Sequence, residues 1–178
     1  MAACSSESSI PAEPIQDDCL KLGDSHQGGI IFYIDQTNQH GLIAAETDQS
    51  PAAIWGCQDT TTETAIPRDI GFGQENTIAI VNNCNDANTA AKICTDLSLG
   101  GYSDWFLPSV HELELLYHYK YTVGGFSEAL YYSSSEREHN NKFEDAATID
   151  FTSNLSNPHR LKFIDKSTPA RVRAIRKF

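Results

Sequence analysis

Between Leu107 and Glu112 the chain reads Leu-Pro-Ser-Val-His-Glu, and no other stretch restricts its fold so tightly. Ser109 followed three residues later by Glu112 is a capping box: the serine hydroxyl accepts from the Glu112 amide while the carboxylate reaches back to the Ser109 amide. Pro108 stands just outside that cap, where it needs no amide donor of its own. Beyond the cap, Val110, Leu113, Leu116 and Tyr117 fall on one arc of a 3.6-residue period, which predicts a helix with a defined inner face. Asp104, Trp105 and Phe106 run directly into the entrance of that helix, so the core is expected here, with Asp104, Trp105, Ser109 and Glu112 in structural roles. A carboxylate in a buried corner calls for a cation, and Arg171, Arg173 or Arg176 would supply it.

Around this helix the chain divides simply. Residues 1–18 include SSESSIPAEPIQDD, which cannot bury a face and reads as a disordered tether. Residues 19–178 are long enough for one globular domain and too short for two. Gly28 and Gly29 open the run IIFYI, and after a polar loop ending in His40-Gly41 comes LIAA, which predicts a hairpin with a buried first strand. Residues 46–73 form a long irregular segment anchored by Trp55, and a loop of that length is usually functional or covalently pinned. A helix is expected over 74–82. A second follows, capped by Asp86, in which Ala87, Ala90, Ala91, Cys94 and Leu97 share a face and Gly100 closes the end. In the C-terminal third, ALYYSSSE, then Ala147, Ile149 and Phe151, then Leu161 and Phe163, then Val172 and Ala174 alternate as strands of an antiparallel meander. The expected class is α+β, an antiparallel sheet with two or three helices segregated from it.

No apolar run approaches the roughly 18 residues that span a bilayer. A net charge of −11 argues against nucleic acid as a partner, because phosphate binding needs a basic surface. The charge is uneven, however. Residues 1–159 carry 6 Lys and Arg against 23 Asp and Glu, whereas residues 160–178 carry 7 against 1. The strip Arg160, Lys162, Lys166, Arg171, Arg173, Arg176 and Lys177 is therefore a candidate ligand-binding surface for an acidic polysaccharide. The opposing reading is that it neutralises acids of its own domain.

Five cysteines without a CxxC pair or Cys/His clustering point to disulfides in an oxidising compartment rather than to zinc or redox chemistry, although a cysteine can also serve as a small buried hydrophobe. Cys19, Cys57, Cys84 and Cys94 allow three pairings. Cys57 with Cys84 is expected, since it pins the long 46–73 segment, leaving Cys19 with Cys94. Met-Ala-Ala-Cys-Ser-Ser at the start resembles the end of a bacterial lipoprotein signal, with Cys4 the lipidated residue. His111, Glu114 and His118 share a helix face at metal-ligand spacing, but such triads arise on any solvated helix. Asn82, Asn83, Asn85 and Asp86 could offer oxygens to calcium, though Asn-rich breaks are ordinary turns. No cofactor is expected beyond that calcium alternative. Ser133, Ser134 and Ser135 lie in no G-x-S-x-G elbow and read as a structural edge.

GYSDWFLPS followed by HELELLY resembles the signature of the bacterial surface-domain family that includes the C-terminal domain of the Legionella collagen-like adhesin. GDSHQGGIIFYID, GFGQENT, YYSSSE and RVRAIR match in the same order. The layout is similar, more distantly, to C-type-lectin and formylglycine-generating (sulfatase-modifying-factor) folds. Those enzymes use a cysteine pair late in the domain, and no cysteine follows Cys94 here, so that chemistry does not carry over. The resemblance implies a non-enzymatic extracellular or outer-membrane-surface domain, adhesin-like, that binds carbohydrate or another extracellular or host-surface polymer as a homotrimer; the basic strip adds the expectation of a sulfated glycan such as glycosaminoglycan. The rival expectation is an enzyme of the lectin-like lineage with a pocket formed by Trp55, Trp105, Tyr131, Tyr132 and Ser133. A structural envelope module is the third.

Overall fold

The computed structural model describes residues 20–57, 62, 68–84, 86–139, 142–152 and 160–178. The expected tether, Cys4, Cys19 and Asn85 lie outside the described residues. In chain order the elements are β1 (Ser25–His26), β2 (Gly29–Ile34), β3 (Gly41–Ala44), β4 (Ser50–Ala53), α1 (Gly73–Asn83), α2 (Ala90–Thr95), α3 (Val110–His118), α4 (Lys120–Val123), β5 (Leu130–His139), β6 (Lys142–Asp150), β7 (Leu161–Asp165), β8 (Ala170–Val172) and β9 (Ile175–Lys177). The class is α+β with mostly antiparallel sheets and few helices, as expected. One sheet has the order β1-β2-β3-β9 and the other β4-β8-β5-β6-β7.

The apolar runs IIFYI and LIAA form the expected hairpin, with Ile30 opposite Ala44 and Ile34 opposite Gly41. They are apolar throughout because both faces of the strands are covered. Ile31 and Ile43 enter one core cluster, with Trp55, Ile80, Trp105 and Tyr132. Phe32 and Leu42 enter a second, with Phe106, Leu113, Leu116 and Tyr117. Neighbouring residues of a strand point to opposite faces, so the strands stand between two cores. Tyr131 and Tyr132 of β5 are divided in the same way.

The helix at 110 begins as its sequence dictates. Ser109 Oγ accepts from the Glu112 amide (3.3 Å) and Glu112 Oε2 from the Ser109 amide (2.8 Å). Val110, Leu113, Leu116 and Tyr117 are buried on its inner face, as expected. In α2 the cap is Thr89, whose hydroxyl accepts from the Lys92 amide. Asp86, expected there, instead accepts from the Asn88 amide two residues on, an Asx turn that leads into the cap. Ala90 and Ala91 do permit a close approach: the Ala90 amide donates to the Ile54 carbonyl at 2.8 Å. The helix is shorter than expected: it ends at Thr95 with Asp96 as its C-cap, so Ala87 and Leu97 lie outside it and Gly100 is not its stop. The φ of Gly100 is +64°, and a Cβ on it would fall 2.5 Å from the Cα of Gly28, so two backbones meet where neither residue can carry a side chain.

Two expectations are corrected. The C-terminal meander is antiparallel through β5, β6 and β7, but it does not continue. Strand β8 runs parallel to β5 and antiparallel to β4, while β9 leaves for the other sheet and pairs with β3. The break comes at Arg173, which bonds inward to distant carbonyls and so cannot alternate outward with Val172 and Ala174. Among the cysteines, Cys57 and Cys84 form the expected disulfide. Cys94 is a free thiol, so the expected bond from Cys19 to Cys94 is absent. The cause is its place on the inner face of α2, within the cluster of Ala91, Ile80 and Trp105, where burial also pushes the thiol far above its ordinary pKa.

Candidate functional site

The seven cations of the C-terminal strip do not form one surface. Lys166 is buried, 2.7 Å from Glu136 Oε2 and 4.6 Å from the centre of the Trp55 ring. Arg173 is also buried: Nε donates to Asp48 Oδ1 (2.9 Å), Nη1 to the Ala45 carbonyl (2.9 Å) and Nη2 to the Gly125 carbonyl (2.6 Å). Its guanidinium lies 3.9 Å over Phe126. Asp48 is shared with Arg171 Nη1 and with the Tyr131 hydroxyl, both at 2.9 Å. Burial raises the pKa of that tyrosine, and the neighbouring Asp48 charge raises it further. Arg176 pairs with Asp104 and Gln27 and stacks 3.8 Å over Tyr102. Arg160 lies over Tyr117, Lys162 is exposed, and Lys177 Nζ donates to the Gly71 carbonyl at 2.8 Å. The expected polyanion strip is corrected accordingly. Lys166, Arg173 and Arg176 are drawn inward by carboxylates and carbonyls that strand periodicity does not reveal. Asp104 is itself half exposed, so its pair with Arg176 lies at a rim and not in the buried corner expected.

The pocket expected around Trp55, Trp105, Tyr131, Tyr132 and Ser133 is filled core. All five side chains are excluded from solvent. Trp55 Nε1 donates to the Ser133 carbonyl (2.7 Å), and the Tyr132 hydroxyl to the Thr168 carbonyl (2.5 Å). Burial drives the Tyr132 hydroxyl pKa well upward. The serines sit in mid-sheet and hold the helix start: the Ser134 amide donates to the Pro108 carbonyl, and Ser135 Oγ accepts from the Val110 amide. His111 lies beside Asp69 at 3.1 Å, on a face shared with exposed His118. Among the described residues no three His, Cys, Asp or Glu side chains are grouped to hold a metal ion.

An open cleft lies elsewhere, where the β2–β3 turn, the turn at Ile70–Gly71 and the end of β9 meet. Its volume is about 280 Å³. Tyr33, Leu42, Ile70 and Phe178 supply apolar walls, and Asp35, His40 and Lys177 supply polar groups. The chain locally enforces this arrangement. A Cβ on Gly41 would lie 2.1 Å from the Tyr33 carbonyl oxygen and 2.7 Å from the Phe178 ring, so only glycine lets that ring rest on β3. Phe178 exchanges two backbone hydrogen bonds with Gly41 and meets the His26 ring edge-on at 4.8 Å. Asp35 accepts from the Thr37 hydroxyl (2.6 Å) and amide (2.9 Å). Those bonds, the hydroxyl foremost, hold its carboxyl below the usual range and keep it ionised. The far wall is fixed through the capping box, since the Gly71 amide donates to Glu112 Oε1 at 2.8 Å. Burial raises the Glu112 pKa, while the Ser109 and Gly71 bonds and the Lys177 charge oppose that rise.

Apolar walls with a carboxylate, an imidazole and an ammonium at the edges suit a small ligand with one apolar face and several hydroxyls. Of the residues expected to bind ligand, Lys177 alone reaches this cleft. Tyr33, Asp35, His40 and Phe178 were outside that expectation. Their only trace in the sequence is an aromatic, an acid and a histidine bracketing the hairpin turn. No protein-family model matches the chain, and no curated protein matches it.

Proposed function

We propose that this chain is a binding domain of a bacterial surface or secreted protein, of lectin-like architecture, that recognises extracellular carbohydrate. The observation that carries the proposal is the cleft between Tyr33 and Phe178. Aromatic rings can take the CH face of a sugar while Asp35, His40 and Lys177 exchange hydrogen bonds with its hydroxyls. The Cys57–Cys84 disulfide supports an oxidising, extracytoplasmic setting. No helix among the described residues is long and apolar enough to cross a membrane. A glycan array on the purified protein tests the proposal, with Phe178→Ala beside the wild type. Saccharide hits that vanish in a folded Phe178→Ala protein support it, and an array with no saccharide hit turns against it.

A further inference from the structure

Resting on the carbohydrate reading of this cleft, we infer that its ligand is a single uncharged pyranose ring, a terminal or branch sugar, and not a sulfated or carboxylated polymer. Size is the first constraint. A cleft of about 280 Å³ lies at the lower edge of the roughly 300–1,000 Å³ usual for small-molecule sites, which leaves room for one ring.

Charge is the second. Lys177 is the cation that the C-terminal strip contributes here, and it is already engaged: Nζ donates to the Gly71 carbonyl and feels the Glu112 carboxylate behind that turn. Asp35 faces the same cleft as an ionised carboxylate. A sulfate or uronate entering would meet one acid directly and, beside the His40 imidazole, a lysine shared with another acid, on a chain of net charge −11. Sugar hydroxyls meet no such conflict, since they donate to Asp35 and accept from Lys177.

Rigidity is the third. Phe178 is fixed on Gly41 by its backbone bonds and by the His26 ring, Asp35 is fixed by Thr37, and the Gly71 wall is fixed by Glu112. A ring with one apolar face therefore meets a preorganised wall and little ordering cost.

The test is a titration of isotope-labelled full-length protein, followed by amide chemical shifts. The probes are the methyl glycosides of glucose, galactose, mannose and N-acetylglucosamine, with a heparin-derived disaccharide as the charged arm, each at low and at high salt. The expected result is saturable binding of at least one neutral glycoside, with shifts at residues 33–42 and 177–178. Its affinity should change less than about twofold with salt. It should fall about tenfold in Phe178→Ala and in Asp35→Asn, loss of an aromatic wall or of a charged acceptor being of that order. If the heparin disaccharide moves these amides and no neutral glycoside does, the uncharged-ring inference is overturned while the carbohydrate reading stands. If no saccharide of either kind shifts these residues, both fall. Asp35→Asn that binds as wild type overturns the assignment of the carboxylate.

Discussion

Lys166 and Glu136 face each other at 2.7 Å with neither side chain reached by solvent. Glu136 also accepts from the Thr62 amide at 3.2 Å and from its hydroxyl, so the carboxylate is multiply satisfied. Removing one member leaves the other charged in an apolar setting.

Lys166→Met is therefore expected to destabilise by about 3–5 kcal/mol, the usual cost of an orphaned buried charge. Lys166→Met combined with Glu136→Gln should recover much of that loss, because glutamine keeps an acceptor for Thr62 and carries no charge. Urea midpoints of the two proteins decide the matter. A single variant within about 1 kcal/mol of wild type would mean that water reaches the pair.

The Cys57–Cys84 bond closes a loop with a sequence separation of 27. In the chain-entropy treatment a loop of that size contributes about 3–4 kcal/mol by restricting the unfolded chain. Cys57→Ser/Cys84→Ser should lower the urea midpoint accordingly. Under non-reducing peptide mapping, Cys94 should stay unmodified by alkylating reagent until the protein is denatured.

Trp105 and its neighbour Asp104 should separate cleanly. Trp105 is buried against Gly29 and Leu107, with its indole N–H on the Leu99 carbonyl, and Trp105→Ala is expected to cost about 3–5 kcal/mol. Asp104 is half exposed, and Asp104→Ala should cost no more than about 1 kcal/mol despite its bond to Arg176. Thermal unfolding of both variants checks the contrast, and a large loss in Asp104→Ala would contradict it.

Glu112 makes stability depend on pH in a direction opposite to most carboxylates. Burial raises its folded pKa, so the folded state holds this proton more tightly than the unfolded chain does. Its contribution is most favourable below the ordinary glutamate range and is lost as pH rises from there through the raised folded value. The wild type should therefore show a downward component in stability across that window. Glu112→Gln, which cannot titrate, should lack it. Denaturation from about pH 4 to about pH 7 measures the difference. Identical pH profiles for the two proteins would remove Glu112 as the cause.

Much of the fold was legible because its determinants are local. Ser109 and Glu112 are three residues apart, and the apolar runs of β2 and β3 are separated by a single turn. Arg173 was not legible. Its partners Asp48, Ala45 and Gly125 lie 125, 128 and 48 residues away, and nothing in Arg-Val-Arg-Ala distinguishes an arginine that points inward from one that points to solvent. The same holds for the cleft, where Tyr33 and Phe178 stand far apart in the chain and line one cleft because Gly41 between them carries no side chain. Cys94 shows the limit of counting: parity and spacing invited a second pairing, whereas the small-residue face of α2 had already claimed the thiol for the core.

The separation of β8 and β9 into different sheets has a consequence for the order of events during synthesis. Val172 completes the pairing of Ser50, and Ile175 that of Ala44, so each sheet awaits a strand from the final nine residues described. Until those residues leave the ribosome, β3 and β4 keep open hydrogen-bonding edges, and Asp48 lacks both its arginines. A nascent chain can close local units such as α3 early, but the second sheet waits for Val172 and the first for Lys177. Closure of both sheets is thereby deferred until these strands have emerged, and long-range closure of this kind is slow. Chains shortened by a few residues would be exposed to edge-to-edge association rather than merely weakened.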